Sequence, residues 1–207
     1  MSDVHEQMEQ AEHVEHAAHS NKRIALVIAV LALFLAFSET LGKGAQTAAL
    51  SQNIEASDLW AFFQAKTIRQ TVLRSAAETN AIQLATFPEP AKSAMQKQID
   101  GYNKLIDRYE SDPQSKEGRK ELTARAQETE HRRDENLAKY ENYEMASAAF
   151  QIGIVLASAS VITGMLALTW GAMGLGAIGL VFTGFGLFAP EMLERLQHMF
   201  AASGHAG

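Results

Sequence analysis

The chain has 207 residues, 47% hydrophobic and 20% charged, with a formal net charge of −6 and no cysteine. The acidic balance offers no general basic surface for nucleic acid, and the lack of cysteine excludes disulfides and thiol chemistry. The length suits one soluble domain joined to a membrane part, or one compact bundle, and the very uneven spread of charge favours the first.

Residues 1–23 form an acidic tail in which His5, His13, His16 and His19 stand among Glu6, Glu9, Glu12 and Glu15. It is not basic at its start, so no cleavable signal peptide is expected. Whether disordered or helical, it places His13, His16 and His19 three residues apart. Neighbours at i and i+3 share a helix face, so two of them can hold one divalent metal, with Glu9 or Glu12 completing a weak site. The plainer reading is a solvated tail, because no ligand set closes the site, and no cofactor is expected. Histidine protonation near pH 6 would make the tail less acidic, which allows a pH-responsive contact.

Residues 24–42 read IALVIAVLALFLAFSETLG, about one bilayer thickness as a helix. Lys22 and Arg23 precede this first transmembrane helix. Glu39 lies about 23 Å from Ile24 at 1.5 Å per residue, so it belongs at the interface, and Lys43 at i+4 is placed to pair with it. A proton or ion role for Glu39 is the sharper reading. The interfacial pair is the simpler one.

Residues 43–145 carry almost no strand signal and read as a helical stalk. One long helix is expected to about Thr86, a middle helix to about Tyr109 and a third from about Arg119. The breaks fall at TFPEP and SDPQSKEG, where proline biases its predecessor away from the helical region. Met95, Ile99, Tyr102, Leu105, Ile106 and Tyr109 make a narrow, near-heptad stripe. Such thin stripes are better buried by coiled-coil contact between copies than inside one small bundle. The first transmembrane helix is expected either to run on through Gly42 and Gly44 or to hinge there.

From Ala146 to Pro190 there is no charged residue. The run is long enough for two crossings, placed at 146–170 and 171–189 with a turn at Gly171–Gly174. Pro190 ends the second crossing. Small residues recur at helical spacing through Gly153, Ser160 and Gly164 on one helix and Gly176, Gly179 and Gly186 on the other. Such stripes let helix backbones approach closely in lipid. Ser158, Ser160, Thr163, Thr169 and Thr183 allow a pore-lining alternative. Residues 190–207 include Met192, Leu193, Leu196, Met199 and Phe200 and read as an amphipathic interfacial tail.

No GxGxxG, P-loop, HExxH or GxSxG pattern stands in the required context, so no catalytic residue is expected. The stretch ALSQNIEASDLWAFFQAKTIRQ contains Asp58, Trp60, Phe62, Phe63, Gln64, Ala65 and Lys66. It resembles the signature of a bacterial membrane family, domain of unknown function 4337. The resemblance covers nearly the whole chain and implies three spans, a helical insert and no known activity. Phe62 and Phe63 stand where the family pattern suggests tyrosines, which argues against phenol chemistry. Asp58, Trp60, Phe62, Phe63, Gln64 and Lys66 form a candidate docking patch for a partner. On the structural alternative, Trp60 packs near Tyr140 or Tyr143 or on another protomer, and Asp58 caps a helix after a kink.

The expectation is therefore an all-α membrane protein with three transmembrane helices and a long, coiled-coil-like insert between the first and second. It would be a multi-pass protein of a bacterial inner membrane. Its partners would be lipids, further copies of itself and an unidentified protein. Lys22 and Arg23 before the first span favour a cytoplasmic N-terminus, whereas the more numerous Arg132, Arg133, Lys139 and Arg195 favour a cytoplasmic insert and C-terminus, and the balance leans to the second. A non-catalytic homo-oligomeric scaffold is the first functional reading. A channel or transporter subunit and a metal- or pH-responsive regulator are the alternatives.

Overall fold

The structure is a computed structural model that describes residues 2–190 and 192, with side chains from residue 22 onward. Four helices account for it: α1 Ser2–Leu84, α2 Ala91–Glu110, α3 Arg119–Thr163 and α4 Leu166–Phe188. No strand occurs among the described residues. The prolines at 88 and 90 separate α1 from α2, and the turn-rich segment 111–118 separates α2 from α3. α1 runs through Gly42 and Gly44 without a hinge. At Gly42 the absent side chain lets Tyr143 approach, since an added Cβ would lie 3.4 Å from the tyrosine Cβ.

The helices belong to two compact units, Met1–Ala48 with Glu135–Gly207, and Ala49–Asp134. In the first unit, Ile24 packs with Ala157 and Ala172, and Leu31 with Ala146 and the fully buried Phe150. Phe34 stacks on Phe150 with ring centroids 5.9 Å apart. On α4, Ala172, Gly176, Gly179, Thr183 and Gly186 are all buried, while most of its larger apolar residues point outward. The glycines admit specific neighbours. A Cβ on Gly176 would meet Leu31, one on Gly179 the Phe150 ring, and one on Gly186 the Tyr143 ring, each within 3 Å. Gly153 on α3 is less tightly enclosed, since an added Cβ would lie 3.3 Å from both the Ala172 carbonyl and Leu31.

The turn into α4 corrects the sequence expectation. It lies at Gly164–Met165, and Gly171 and Gly174 stay inside α4. Gly164 has φ +69°, and its N–H donates to the Ser160 carbonyl at 2.9 Å. This left-handed closure costs a glycine almost nothing and ends the helix. Gly164 is thus a turn residue with open space about it, not a packing residue. Glycine density marked the wrong place because a glycine inside an apolar helix is tolerated when it serves close packing or faces outward.

The second unit holds the rest of α1, all of α2 and the start of α3. Its core is narrow. Leu59, Leu122 and Ala126 are buried, with Trp60 and Phe63 packed against them. Ala56, Ala77 and Ile99 add small buried areas.

Candidate functional site

α1 presents two seams in the second unit, each repeating at alternating spacings of four and three. The inward seam runs Ala56, Leu59, Phe63, Lys66, Gln70, Leu73 and Ala77, all buried or partly buried. A second seam, offset by two residues and so about 200° round the helix, runs Ile54, Asp58, Ala61, Ala65, Ile68, Val72, Ser75, Thr79 and Ile82. It is exposed apart from the half-buried Ala65, with Ile54, Ile68, Val72 and Ile82 between 61% and 79% accessible.

These seams divide the predicted docking patch. Trp60 and Phe63 meet edge-to-face over the core, with centroids 5.6 Å apart. The Trp60 Nε1–H donates to Glu130 at 2.9 Å. Trp60 therefore does not pack on Tyr140 or Tyr143, because its rotation about α1 aims it at the start of α3. Asp58 and Gln64 face outward, and Phe62 sits at the edge. Asp58 lies inside an unbroken helix and caps nothing.

The inward seam carries two polar residues among apolar ones. The Lys66 ammonium lies 5.1 Å from the Phe62 ring centroid and 5.2 Å from that of Tyr109. It also pairs with Glu117 at 3.5 Å, and the lysine side chain is only 11% exposed. Aromatic faces attract a cation through their quadrupole, which offsets part of its lost hydration. Gln70 donates to the Ile106 carbonyl and to Glu110, each at 3.2 Å. Its own carbonyl accepts from Arg119 at 2.6 Å. Arg119 also donates to Glu110 at 3.0 Å and lies over the Phe63 ring. Sequence reading missed Gln70, Glu110, Glu117, Arg119 and Glu130. The available signal was polar Lys66 and Gln70 in phase with Leu59 and Phe63, because polar residues on a core stripe need partners.

Next to this network, segment 111–118 is clamped by the start of α3. Glu121 accepts from the Ser111 hydroxyl at 2.6 Å and from the Asp112 N–H at 3.2 Å. The Ser111 bond holds the Glu121 carboxyl below its usual range. Arg108 donates to Asp112 at 2.9 Å, and this bond, with those from Ser115, lowers the aspartate pKa to about 2.

In the first unit, the side chains of α1 and α3 border an open groove of about 410 Å³. Ser38, Glu39, Lys43, Gln46, Tyr140, Tyr143, Glu144, Ser147 and Gln151 line it. The expected Glu39–Lys43 pair is not formed. Gln151 reaches Glu39 at 3.5 Å instead, and Lys43 has no ion-pair partner among the described residues. Two long side chains on a wet helix surface lose freedom when they pair, and that cost cancels much of the attraction.

The hydroxyls of the charge-free run are engaged inside the unit. Ser158 and Thr163 donate to carbonyls one turn back. Ser160 bonds to the Met165 carbonyl and to Thr169. Thr183 donates to the Gly179 carbonyl, so the buried Ser38 hydroxyl donates to Thr183 at 3.1 Å, tying α1 to α4. Buried Asn142 donates to the Ala138 and Pro190 carbonyls and pins the end of α4 to α3. His13, His16 and His19 lie outside the described side chains, as does the amphipathic tail beyond Met192. Among the described residues no group of three His, Cys, Asp or Glu is placed to hold a metal.

No curated protein and no solved structure matches the chain significantly. A family model described as Domain of unknown function (DUF4337) matches residues 20–189, the greater part of the chain, and the chain belongs to that family.

Proposed function

We propose that this is a multi-pass membrane protein that self-associates through the exposed seam of α1 and serves as a non-catalytic scaffold. Three helices are long and apolar enough to cross a membrane. Only 17% of the most apolar stretch of α1 is buried in the protein, against 39% in α3 and 28% in α4. Lipid is the natural cover for the remainder, since its tails are as apolar as these side chains.

The observation that carries self-association is the second heptad seam. A four–three repeat keeps one face of a helix against a partner over several turns. The inward seam is filled by α2 and α3, and the outward seam has no such cover. From Ala61 to Ile82 it holds no charged residue, and Ala61, Ala65 and Ser75 allow close approach. Glu55, Arg69 and Glu78 flank it with charges of both signs, so a second copy meets no block of like charge. The occupant is a second copy of this chain, whose seam is self-complementary.

Native mass measurement and crosslinking of the full chain in detergent test this reading. A defined oligomer is expected, and Ile68→Glu with Val72→Glu should convert it to monomer while helicity is retained. A wild-type monomer at all concentrations overturns it. Release of the protein from membranes without detergent would overturn the membrane assignment separately. The channel reading draws no support from hydroxyls already engaged within the unit.

A further inference from the structure

We infer that the groove between α1 and α3 in the first unit binds a phosphoethanolamine headgroup, the zwitterionic end of a phosphatidylethanolamine lipid. The inference rests on the membrane reading above, because it takes the groove to lie at the end of the apolar spans. The groove begins where the charge-free part of α1 ends, at Glu39 and Lys43, and spans Tyr140 to Gln151 at the start of the apolar part of α3. Its volume of about 410 Å³ falls within the range of small-ligand sites.

The polar groups around it are unspent. Lys43 and Glu144 make no ion pair or side-chain hydrogen bond among the described residues, and Glu39 has only the 3.5 Å contact from Gln151. Ser147 is 92% buried, lines the groove, and its hydroxyl has no hydrogen-bond partner there. That hydroxyl opens onto the groove, so a ligand atom seated there can make the hydrogen bond that no protein group supplies. One ammonium and two carboxylates match a ligand carrying a phosphate and an ammonium a few bonds apart. Lys43 and the Ser147 hydroxyl suit the phosphate oxygens. Glu39 and Glu144 suit an ammonium that still has N–H donors. A choline headgroup has none, and a glycerol headgroup has no cation. Charge-assisted hydrogen bonds make that difference selective.

The experiment uses the full chain in detergent, with native mass measurement after equal exposure to phosphatidylethanolamine, phosphatidylcholine and phosphatidylglycerol. Ethanolamine lipid should be retained about fivefold over each of the others, a modest fraction of one well-made polar contact. Glu144→Gln and Lys43→Gln, both on exposed side chains, should each remove the preference without changing the melting temperature. Soluble glycerophosphoethanolamine should displace the lipid. Binding of glycerophosphoethanolamine itself, without retention of any lipid, would assign the same chemistry to a soluble ligand. Equal retention of the three lipids, or a preference that survives both variants, overturns the site. Neither outcome bears on whether the protein needs detergent or on its oligomeric state, so failure of the membrane or scaffold reading is seen independently.

Discussion

The Trp60 indole N–H donates to the Glu130 carboxylate at 2.9 Å, joining residues 70 apart in the chain. The bond holds Trp60 in one rotamer over Phe63 and the narrow core. Trp60→Phe keeps the apolar contact and removes the donor. It should cost about 1–2 kcal/mol, the value of a bond to a partly buried charged group. Glu130→Gln retains an acceptor oxygen and should cost less than Glu130→Ala. Thermal unfolding of the full chain in detergent, followed by circular dichroism, ranks the three.

Arg119 holds together three partners that no local rule connects. Its guanidinium reaches Gln70 and Glu110 and lies over Phe63. Arg119→Ala should destabilise the chain by about 1–2 kcal/mol. That figure is reduced from a fully buried network because Arg119 and its one charged partner, Glu110, are both partly exposed. Arg119→Lys restores the charge but loses the planar fork, so it should recover only part of the loss. Equal stability of the lysine variant and wild type would show that charge alone matters here.

The glycines of α4 should respond in opposite directions. Gly179→Ala places a methyl within 3 Å of the fully buried Phe150 ring, which must shift to admit it. Overpacking of this kind costs about 1–3 kcal/mol. Gly174→Ala and Gly184→Ala meet nothing within 4 Å. They should be neutral or stabilise by up to about 1 kcal/mol, through better helix propensity. Melting temperatures of the three single variants give the comparison.

Gly164 and Gly118 separate backbone strain from crowding. At Gly164 there is space for a methyl, but φ +69° is a left-handed conformation, so Gly164→Ala should cost about 1–2 kcal/mol. At Gly118 a methyl would collide with the Asp112 N–H, the Ser111 Cα and the Glu121 carboxylate. Backbone cannot move aside as a side-chain tip can, so Gly118→Ala should cost about 1–3 kcal/mol. Gly118→Ala should also weaken the Glu121 clamp, which proteolysis in segment 111–118 would report.

Acid should loosen the segment before α3. Asp112 has its folded pKa lowered from 3.8 to about 2, chiefly by the hydrogen bond from Arg108. A lowered carboxylate pKa adds stability that is fully present above the unfolded value and is lost as pH falls through the folded one. Glu121, lowered mainly by the Ser111 hydroxyl, acts in the same direction. Melting temperature should therefore fall between about pH 4 and pH 2. Asp112→Asn should flatten that fall. An unchanged acid limb in the variant would remove Asp112 as its source.

Much of the architecture is legible locally. Pro88, Pro90 and Pro113 mark the helix breaks because proline restricts its own and its predecessor's backbone. The small-residue stripe of α4 could be read because its positions share one helix face, and Gly176, Gly179 and Gly186 are all buried, with Ala172 and Thr183 in line with them. The turn at Gly164 was not legible. Several glycines stand nearby, and which one goes left-handed depends on where the returning helix packs. The Glu39–Lys43 pair failed for a related reason. Spacing shows that two side chains can meet, whereas their competition with solvent and with Gln151 is settled by the surroundings.

The sequence by itself determined the helical class, the apolar lengths and the periodicity of each face, because these follow from covalent geometry and local composition. It also placed Asp58, Trp60, Phe62, Phe63, Gln64 and Lys66 close together along one helix. Only the tertiary structure decided which side of α1 each one serves. Both seams of α1 repeat at the same spacing, and periodicity cannot tell a buried seam from an exposed one. The distinction arises where α2 and α3 pack, because burial turns Lys66 and Trp60 into partners of Glu117, Tyr109 and Glu130 and leaves Asp58 and Ile68 facing outward.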